Sequence, residues 1–130
     1  MRILMFCLSF LLISNTAYAG DEESVAPVIE YIEMKPKFTV NLEKAGKYLV
    51  VDVQLMAEGE KYIEKIKKNL PALRHELIML YSGRSSADLQ TMEQREALRV
   101  ESKKAITKAL DRLSNSDGFR DLFFTELLVN

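Results

Sequence analysis

His75 is the only histidine among the 130 residues, and histidine is the side chain best suited to acid–base or metal chemistry near neutral pH. It lies in the segment Leu73-Arg74-His75-Glu76-Leu77, between two leucines at helical spacing. This position predicts a solvated side chain on the polar side of a helix. A catalytic histidine needs a nucleophile and an orienting group within reach, and the sequence around His75 gives no sign of either.

Nucleophilic and metal chemistry has little support elsewhere in the sequence. Cys7 is the only cysteine, so the usual zinc clusters and cysteine–histidine pairs cannot be assembled. The 19 aspartates and glutamates form no EF-hand loop, and the chain has no phosphate loop, G-x-G-x-x-G or G-x-S-x-G motif. We therefore predict no catalytic residue, no metal site and no cofactor, and a protein that is not an enzyme. The alternative is a hydrolase with scattered carboxylates, which requires an acidic pocket around a carboxyl group of perturbed pKa.

The composition is that of a single globular domain. Lysine and arginine number 18 against 19 acidic residues, and 48% of the residues are hydrophobic. This balance excludes a strongly basic nucleic-acid binder and a disordered chain. The basic side chains of two predicted helices are interspersed with glutamates, which is typical of solvated helix faces rather than of sites for acidic lipid or nucleic acid. These basic side chains are Lys61, Lys65, Lys67, Lys68, Lys103, Lys104, Lys108 and Arg112.

Residues 1–19 have the layout of a secretory signal peptide. Arg2 precedes the apolar stretch Ile3 to Ile13, and the small residues of Ala17-Tyr18-Ala19 precede Gly20. An eleven-residue helix reaches only about 16 Å, roughly half of the hydrocarbon core of a bilayer. We predict cleavage between Ala19 and Gly20, then a flexible lead over 20–27 and a domain over 28–130. An uncleaved signal anchor is the alternative, and either reading puts the domain outside the cytoplasm.

The first half of this domain predicts a β-hairpin followed by helix. Apolar residues alternate between Val28 and Leu42, which predicts a strand that is bent or lies at a sheet edge because Pro36 interrupts it. The glycine-containing tract Glu43 to Lys47 is a turn into a second alternating strand, Tyr48 to Met56. Spacings of three and four then predict a helix stripe, in which Pro71 marks a kink or a restart. The stripe consists of Ile63, Ile66, Leu70, Leu73, Leu77 and Leu80.

The second half predicts a long helix and a final strand. Tyr81 to Ser86 ends the helical period, and Thr91 with Gln94 has the spacing of a capping box, so a helix should run from there to about Leu113. Phe119 to Asn130 is apolar at both alternating positions, which predicts a strand covered on both faces in the middle of the sheet. The expected fold is α+β, with a small sheet of hairpin and C-terminal strand packed against helices.

Five short segments in this order resemble the FliL family of flagellar basal body-associated proteins. The resemblance covers about residues 30 to 130. It is carried by FTVNL (38–42), GKYLVVDV (46–53), LPALR (70–74) with IMLYS (78–82), DLQT (88–91) with QREALR (94–99), and LFFTELLV (122–129). Met92 stands where the family usually has proline after the capping threonine.

The resemblance implies a periplasmic domain similar to the core of stomatin and prohibitin proteins, the SPFH core. It also implies a structural role at the flagellar motor, in which rings enclose the plug and linker region of MotA/MotB-type stators and support torque and motility. The expected partners are stator and basal-body proteins near the membrane, together with further copies of this chain or an anchored FliL paralogue. Family members have a cytoplasmic tail and a transmembrane helix, whereas this chain begins with the short leader.

The loop residues Arg84, Ser85 and Ser86 are the candidate partner-binding residues, because they form the clearest break between helices. The charged outer face of the long helix is a second candidate. The alternative function is a periplasmic adaptor or regulatory module of another envelope complex, built on the same fold.

Overall fold

A computed structural model describes residues 26–130 of the chain. The predicted signal peptide, its cleavage site at Ala19 and Gly20, and most of the predicted lead lie outside the described residues. The elements are strands β1 (Ile29–Glu33), β2 (Phe38–Asn41) and β3 (Tyr48–Glu58), helices α1 (Glu60–Lys68) and α2 (Leu70–Tyr81), a short 3-10 helix (Ser86–Leu89), helix α3 (Met92–Leu113) and strand β4 (Phe119–Val129). The predicted α+β class is confirmed.

The sheet is open and antiparallel, and the long strand β3 is its centre. β1 and β2 pair one after the other along one edge of β3, and β4 pairs along the other edge. The predicted hairpin joins β2 to β3, with Val40 opposite Leu49 and Gly46 in a left-handed conformation within the turn. β3 therefore holds the three other strands of the described chain together.

The edge formed by β1 and β2 is interrupted at Pro36, as the sequence predicted. Residues 34–37 lie opposite Asp52 and Val53, so the edge strand bulges outward, and the Lys35–Pro36 peptide is cis. Arg74 of α2 covers the bulge, because its guanidinium donates to the Pro36 carbonyl at 2.6 Å. The bend is thereby connected to the helical layer.

One hydrophobic core lies between the sheet and the helices. Alternate β3 residues are buried because successive strand side chains point to opposite faces. Helices α1, α2 and α3 supply the other wall through residues spaced three and four apart. The largest fully buried side chains are Tyr81, Phe38, Leu49, Leu55, Ile66, Leu73, Leu77, Leu89, Leu98, Ile106, Leu110 and Leu122.

The helix boundaries follow local signals. The predicted restart at Pro71 is confirmed, because α1 ends at Lys68 and Pro71 occupies the first turn of α2. The predicted capping box is also confirmed: Thr91 Oγ1 accepts from the Gln94 amide at 3.1 Å, and Gln94 Oε1 accepts from the Thr91 amide at 3.0 Å. None of the helices in residues 26–130 combines the length and the apolar character needed to cross a bilayer.

Two predictions about the ends of these elements were wrong. β4 lies at an edge of the sheet, because β3 is its only partner strand within the described residues, and its open side leaves Leu128 48% exposed. Tyr81, assigned to the break after α2, is instead fully buried. An apolar pattern shows which residues avoid water, but it cannot tell a core from a surface left uncovered.

Candidate interaction surface

The sheet face that points away from the helices is uncovered and partly apolar. We call it the open face; it carries the alternate strand side chains whose neighbours fill the core. Tyr31 is 54% exposed, Ile29 50%, Leu128 48% and Tyr48 39%. They form two pairs at opposite ends of the face, Ile29 with Tyr31 and Tyr48 with Leu128, and exposed apolar groups that cluster in this way are candidates for interaction sites.

An aromatic cluster lies at the β1 side of the open face. Tyr31 is opposite Met56 on β3, and its ring centroid lies 6.3 Å from that of Phe123 on β4. Phe123 is opposite Gln54, whose amide lies 3.5 Å from Glu33. The cluster therefore crosses three strands and ends beside the exposed carboxylate of Glu33.

The centre of the open face holds a cluster of charges. Asp52 and Glu126 are directly opposite on β3 and β4, and two lysines from the Pro36 bend reach over them. Lys35 Nζ lies 3.4 Å from Asp52, and Lys37 pairs with Glu126. The hydrogen bond to Glu126 raises the pKa of Lys37. Asp52 Oδ1 has no hydrogen-bond partner among the described residues, although it is buried.

Most carboxylates on the open face have a basic partner. Its strands and the bend at Pro36 carry five carboxylates and three basic side chains, and Arg99 and Lys103 of α3 place two more basic groups beside Asp121. The carboxylates are Glu33, Asp52, Glu58, Asp121 and Glu126, and the basic side chains are Lys35, Lys37 and Arg120. Glu58 pairs with Arg120 at 2.6 Å and Asp121 with Arg99 at 2.8 Å, so Glu33 is the one carboxylate of this set without an ion pair among the described residues.

The outer side of α3 is basic. We call it the lysine face; it consists of Val100, Lys103, Lys104, Thr107 and Lys108, which line a shallow groove of about 450 Å³ together with Arg99. Val100 is 37% exposed between the lysines. Lys103 lies 3.7 Å from Asp121, whereas Lys104 and Lys108 pair with no carboxylate in the part of the chain that the structure describes. The groove has no acidic lining residue.

The free edge of β4 is partly closed by Arg99 of α3. Its guanidinium donates to the Leu122 carbonyl at 3.0 Å and to Asp121 at 2.8 Å, which protects an edge strand from further pairing. Burial opposes ionisation of Asp121, but the Leu122 amide, Lys103 and Arg99 together outweigh it and lower the pKa of Asp121. A groove of about 330 Å³ continues along the edge between Met92 and Leu127.

The predicted partner-binding loop is occupied by contacts within the chain. Arg84 donates to the Leu80 carbonyl at 2.8 Å and pairs with Glu101, while its own carbonyl accepts from the Glu43 amide. Ser85 accepts from the Ala87 amide and caps the 3-10 helix that begins at Ser86. Partner binding by Arg84, Ser85 and Ser86 stays a prediction, and these contacts account for the residue types found there.

The structure brings together no group of side chains suited to catalysis. His75 is exposed on α2, as its spacing predicted. Residues 26–130 contain no cluster of three histidine, cysteine, aspartate or glutamate side chains able to hold a metal ion. The perturbed acidic groups within that range are Glu96 and Asp121, and both have lowered pKa values, so neither stores a proton near neutral pH.

Sequence reasoning missed the open face. Tyr31 and Tyr48 lie on the opposite side of the sheet from the core, where the strand pattern alone predicted no interaction surface. The available signal was the apolar character of both alternating positions in β4, which we interpreted as a strand covered on both faces. A sheet edge or face left open for a partner gives the same pattern.

Comparisons with known proteins agree with the resemblance noted from the sequence. The model of the family described as "Flagellar basal body-associated protein FliL" matches residues 31–129. The flagellar protein FliL of Aquifex aeolicus (strain VF5) is 26% identical over 99 residues, which are 75% of this chain and 59% of that protein. The flagellar protein FliL of Escherichia coli (strain K12) is 27% identical over 92 residues, which are 71% of this chain and 60% of that protein.

The matched region therefore spans about three-fifths of the length of these curated relatives. It runs from β1 to the end of β4 and so includes the sheet, all three described helices, the open face and the lysine face. Because the family model matches far more than half of the residues, the chain belongs to the FliL family of flagellar basal body-associated proteins.

Proposed function

We propose that this chain is a non-enzymatic structural protein of the flagellar basal body that supports motor torque and motility. The observation that carries the proposal is the family match over residues 31–129. The surface chemistry is consistent with it, because the described residues present an apolar and charged binding face and no catalytic constellation. The match leaves about two-fifths of each curated relative uncovered, so the partners named below belong to the proposal.

The proposed place of action is the periplasm, beside the inner membrane and the stator units. The proposed partners are stator proteins of the MotA/MotB type, basal-body proteins, and further copies of this chain or an anchored paralogue. A ring-like assembly encloses the linker of the plug-bearing stator subunit. In this proposal the leader directs export of the chain and is cleaved between Ala19 and Gly20.

The proposed mechanism is a shift between two stator states. A ring that binds the open, ion-conducting arrangement more tightly than the plugged one raises the open fraction. Reversing a strongly biased equilibrium from about 1:99 to 99:1 takes a roughly 10⁴-fold difference in affinity, so many weak contacts repeated around a ring suit the task. No chemical step is required of the protein.

The test is a chromosomal deletion complemented by the wild-type gene. We expect the deletion to reduce the torque of single motors most at high load, measured with beads of increasing size on flagellar stubs, and complementation to restore it. Unchanged torque at every load would contradict the proposal. Affinity purification from envelope fractions supports it if stator or basal-body proteins are enriched, whereas an envelope complex without any of them indicates the adaptor function instead.

N-terminal mass spectrometry of the purified protein tests the proposed location. We expect Gly20 as the first residue and recovery from the periplasmic fraction. A chain that keeps Met1 and fractionates with the cytosol would contradict the proposed place of action.

A further inference from the structure

The free edge of β4 is closed in its first half and open in its second half. At Leu122 both outward backbone groups are occupied, because the amide donates to Asp121 Oδ1 at 2.8 Å and the carbonyl accepts from Arg99 at 3.0 Å. No side chain among residues 26–130 forms such a bond with the backbone of Leu127 or Val129. The second half of the edge therefore has no cover within the described chain.

The pairing with β3 shows which backbone groups face outward in this second half. Tyr48 and Asn130 exchange both of their backbone hydrogen bonds, at 2.9 and 3.0 Å. Hydrogen-bonded and non-hydrogen-bonded pairs alternate in an antiparallel ladder, so Val129 and, two residues before it, Leu127 belong to non-hydrogen-bonded pairs. Their amides and carbonyls therefore point away from β3, and such a row of unpaired groups is a template for a further strand.

A groove for side chains runs beside the open half of the edge. It has a volume of about 330 Å³ and lies between β4 and the first turns of α3. Phe124 and Leu127 line it and are only partly buried against the core, and Met92 on the opposite side is 81% exposed. Backbone bonds to a sheet edge, combined with pockets for alternate side chains, are the means by which such edges bind extended peptides.

The groove carries a basic side chain without an acidic partner. The carboxylates of Glu96 and Glu126, which also line the groove, are each paired with another basic side chain. Arg95 donates to a backbone carbonyl at 3.1 Å and pairs with no carboxylate in the described part of the chain. Its guanidinium suits a carboxylate of an incoming strand, because charge complementarity fixes the orientation and register of a partner.

From these observations we propose that the second half of the β4 edge binds an extended segment of another protein as a fifth strand. The segment has apolar side chains at alternate positions, which enter the groove, and a carboxylate that pairs with Arg95. A second copy of β4 fits less well, because Glu126 is the one carboxylate within residues 122–129 and is already paired with Lys37. The inference does not depend on the flagellar function proposed above.

Hydrogen exchange of the purified full chain, followed for single amides by NMR, tests this contact with two synthetic peptides. The acidic peptide has about eight residues, a common strand length, is blocked at both ends and alternates valine with threonine. Glutamate replaces one central valine in it, and the basic peptide has lysine at that position. We expect the acidic peptide to slow exchange of the Leu127 and Val129 amides about tenfold and to bind about tenfold more tightly than the basic peptide.

Two results of this experiment would overturn the proposal. One is equal affinity for the acidic and the basic peptide, which would show that Arg95 takes no part. The other is unchanged exchange at Leu127 and Val129 with the acidic peptide in millimolar excess, which would show that the edge accepts no strand.

Two substitutions separate the backbone contact from the ionic contact. Leu127→Pro removes the outward amide without removing a hydrogen bond to β3, so it should abolish binding of both peptides. Its matched control is Leu127→Ala, which also shortens the side chain but keeps the amide, and which should still bind the acidic peptide. Arg95→Glu should reverse the preference, so that the basic peptide binds about tenfold more tightly than the acidic one.

Circular dichroism shows whether each variant is folded, and Arg95→Glu at the surface of α3 decides the question if Leu127→Pro fails to fold. Binding that survives in a folded Leu127→Pro variant would contradict the proposed strand pairing. A preference that Arg95→Glu leaves unchanged would contradict the proposed ion pair.

Other outcomes identify a different occupant or a different function. If exchange at Leu127 and Val129 slows as the concentration of the chain alone is raised, a second copy covers the edge and the proposal fails. The peptide experiment requires no motor. A deletion without effect on torque would therefore remove the flagellar function and leave the edge contact in place, whereas peptides that do not bind would remove only the edge contact.

Discussion

A buried hydroxyl pair between α2 and α3 gives the sharpest prediction of stability. Tyr81 and Ser102 are both fully buried, and their oxygens lie 2.8 Å apart. Ser102 Oγ also lies 2.7 Å from the Leu98 carbonyl. Because a carbonyl only accepts and serine has one proton, Ser102 donates to Leu98 and Tyr81 donates to Ser102.

The three variants of a double-mutant cycle should therefore differ in a definite order. Ser102→Ala leaves the buried Tyr81 hydroxyl without a partner, which costs about 1–3 kcal/mol of unfolding free energy. Tyr81→Phe removes one hydrogen bond and leaves the donation by Ser102 intact, so it costs about 1 kcal/mol. The double variant removes both hydroxyls, so no buried hydroxyl is left without a partner. We expect its unfolding free energy to lie within about 1 kcal/mol of that of the wild type.

Urea unfolding of the purified chain, followed by circular dichroism, measures all four free energies. The ring of residue 81 keeps its edge contacts with Phe38 and Phe124 in the phenylalanine variant, with centroids 5.7 Å and 6.2 Å away. The cycle therefore isolates the hydroxyl pair. A double variant that loses the sum of the two single losses would refute the coupling of the two hydroxyls, and a larger loss for Tyr81→Phe than for Ser102→Ala would refute the assigned direction.

The same pair predicts a dependence on alkaline pH. Burial raises the pKa of Tyr81, although the charge of Arg84 opposes it. In the folded chain the Tyr81 hydroxyl therefore stays protonated at pH values near 10, at which the tyrosine of the unfolded chain ionises. This contribution to stability is complete below pH 10 and is lost as the pH rises further. Tyr81→Phe should make the unfolding free energy fall less steeply above pH 10, and equal slopes would contradict the burial argument.

The remaining predictions concern two glycines in turns and the contact of Arg99 with the β4 edge, including its dependence on acidic pH. Gly118→Ala should cost more than about 3 kcal/mol, because the left-handed backbone is unfavourable and the added Cβ falls 2.2 Å from Tyr62 Cβ. Gly46→Ala, with open space around it, should cost only about 1–2 kcal/mol in the same urea assay, and equal losses would refute the steric part. Arg99→Ala should cost about 1–3 kcal/mol near pH 7, because Asp121 loses a partner and the β4 edge is uncovered. The lowered pKa of Asp121 stabilises the folded chain only above about pH 4. The difference in unfolding free energy between Arg99→Ala and the wild type should therefore shrink as the pH falls to 3. A difference that stays constant would contradict the pairing of Arg99 with Asp121.

Local signals in the sequence predicted most of the elements. The alternation in β3, the restart at Pro71 and the capping pair at Thr91 each act within a few residues, so they were readable without knowing the fold. The bend at Pro36 was readable for the same reason, since proline lacks the amide that a ladder needs. Interactions between residues that are close along the chain therefore determine where these elements begin, bend and end.

The arrangement of β4 and the pairing of Tyr81 could not be predicted from the sequence, because both depend on residues that are distant along the chain. β4 is apolar on both sides, but which strand it joins, and whether anything covers its second face, is decided by the rest of the chain. Ser102 lies on the buried side of α3, and its burial depends on Tyr81 from another helix, which supplies a hydrogen bond. The open face was missed for a related reason, since an apolar strand face predicts burial whether the cover is a helix or a second protein.

The central claim is that the chain is a building block of a periplasmic assembly at the flagellar motor. Electron cryotomography of motors in wild-type and deletion cells tests it most directly, with averaged density compared around the stator units. We predict a ring-shaped density on the periplasmic side that disappears in the deletion and returns on complementation. Identical averages in the two strains would contradict the account.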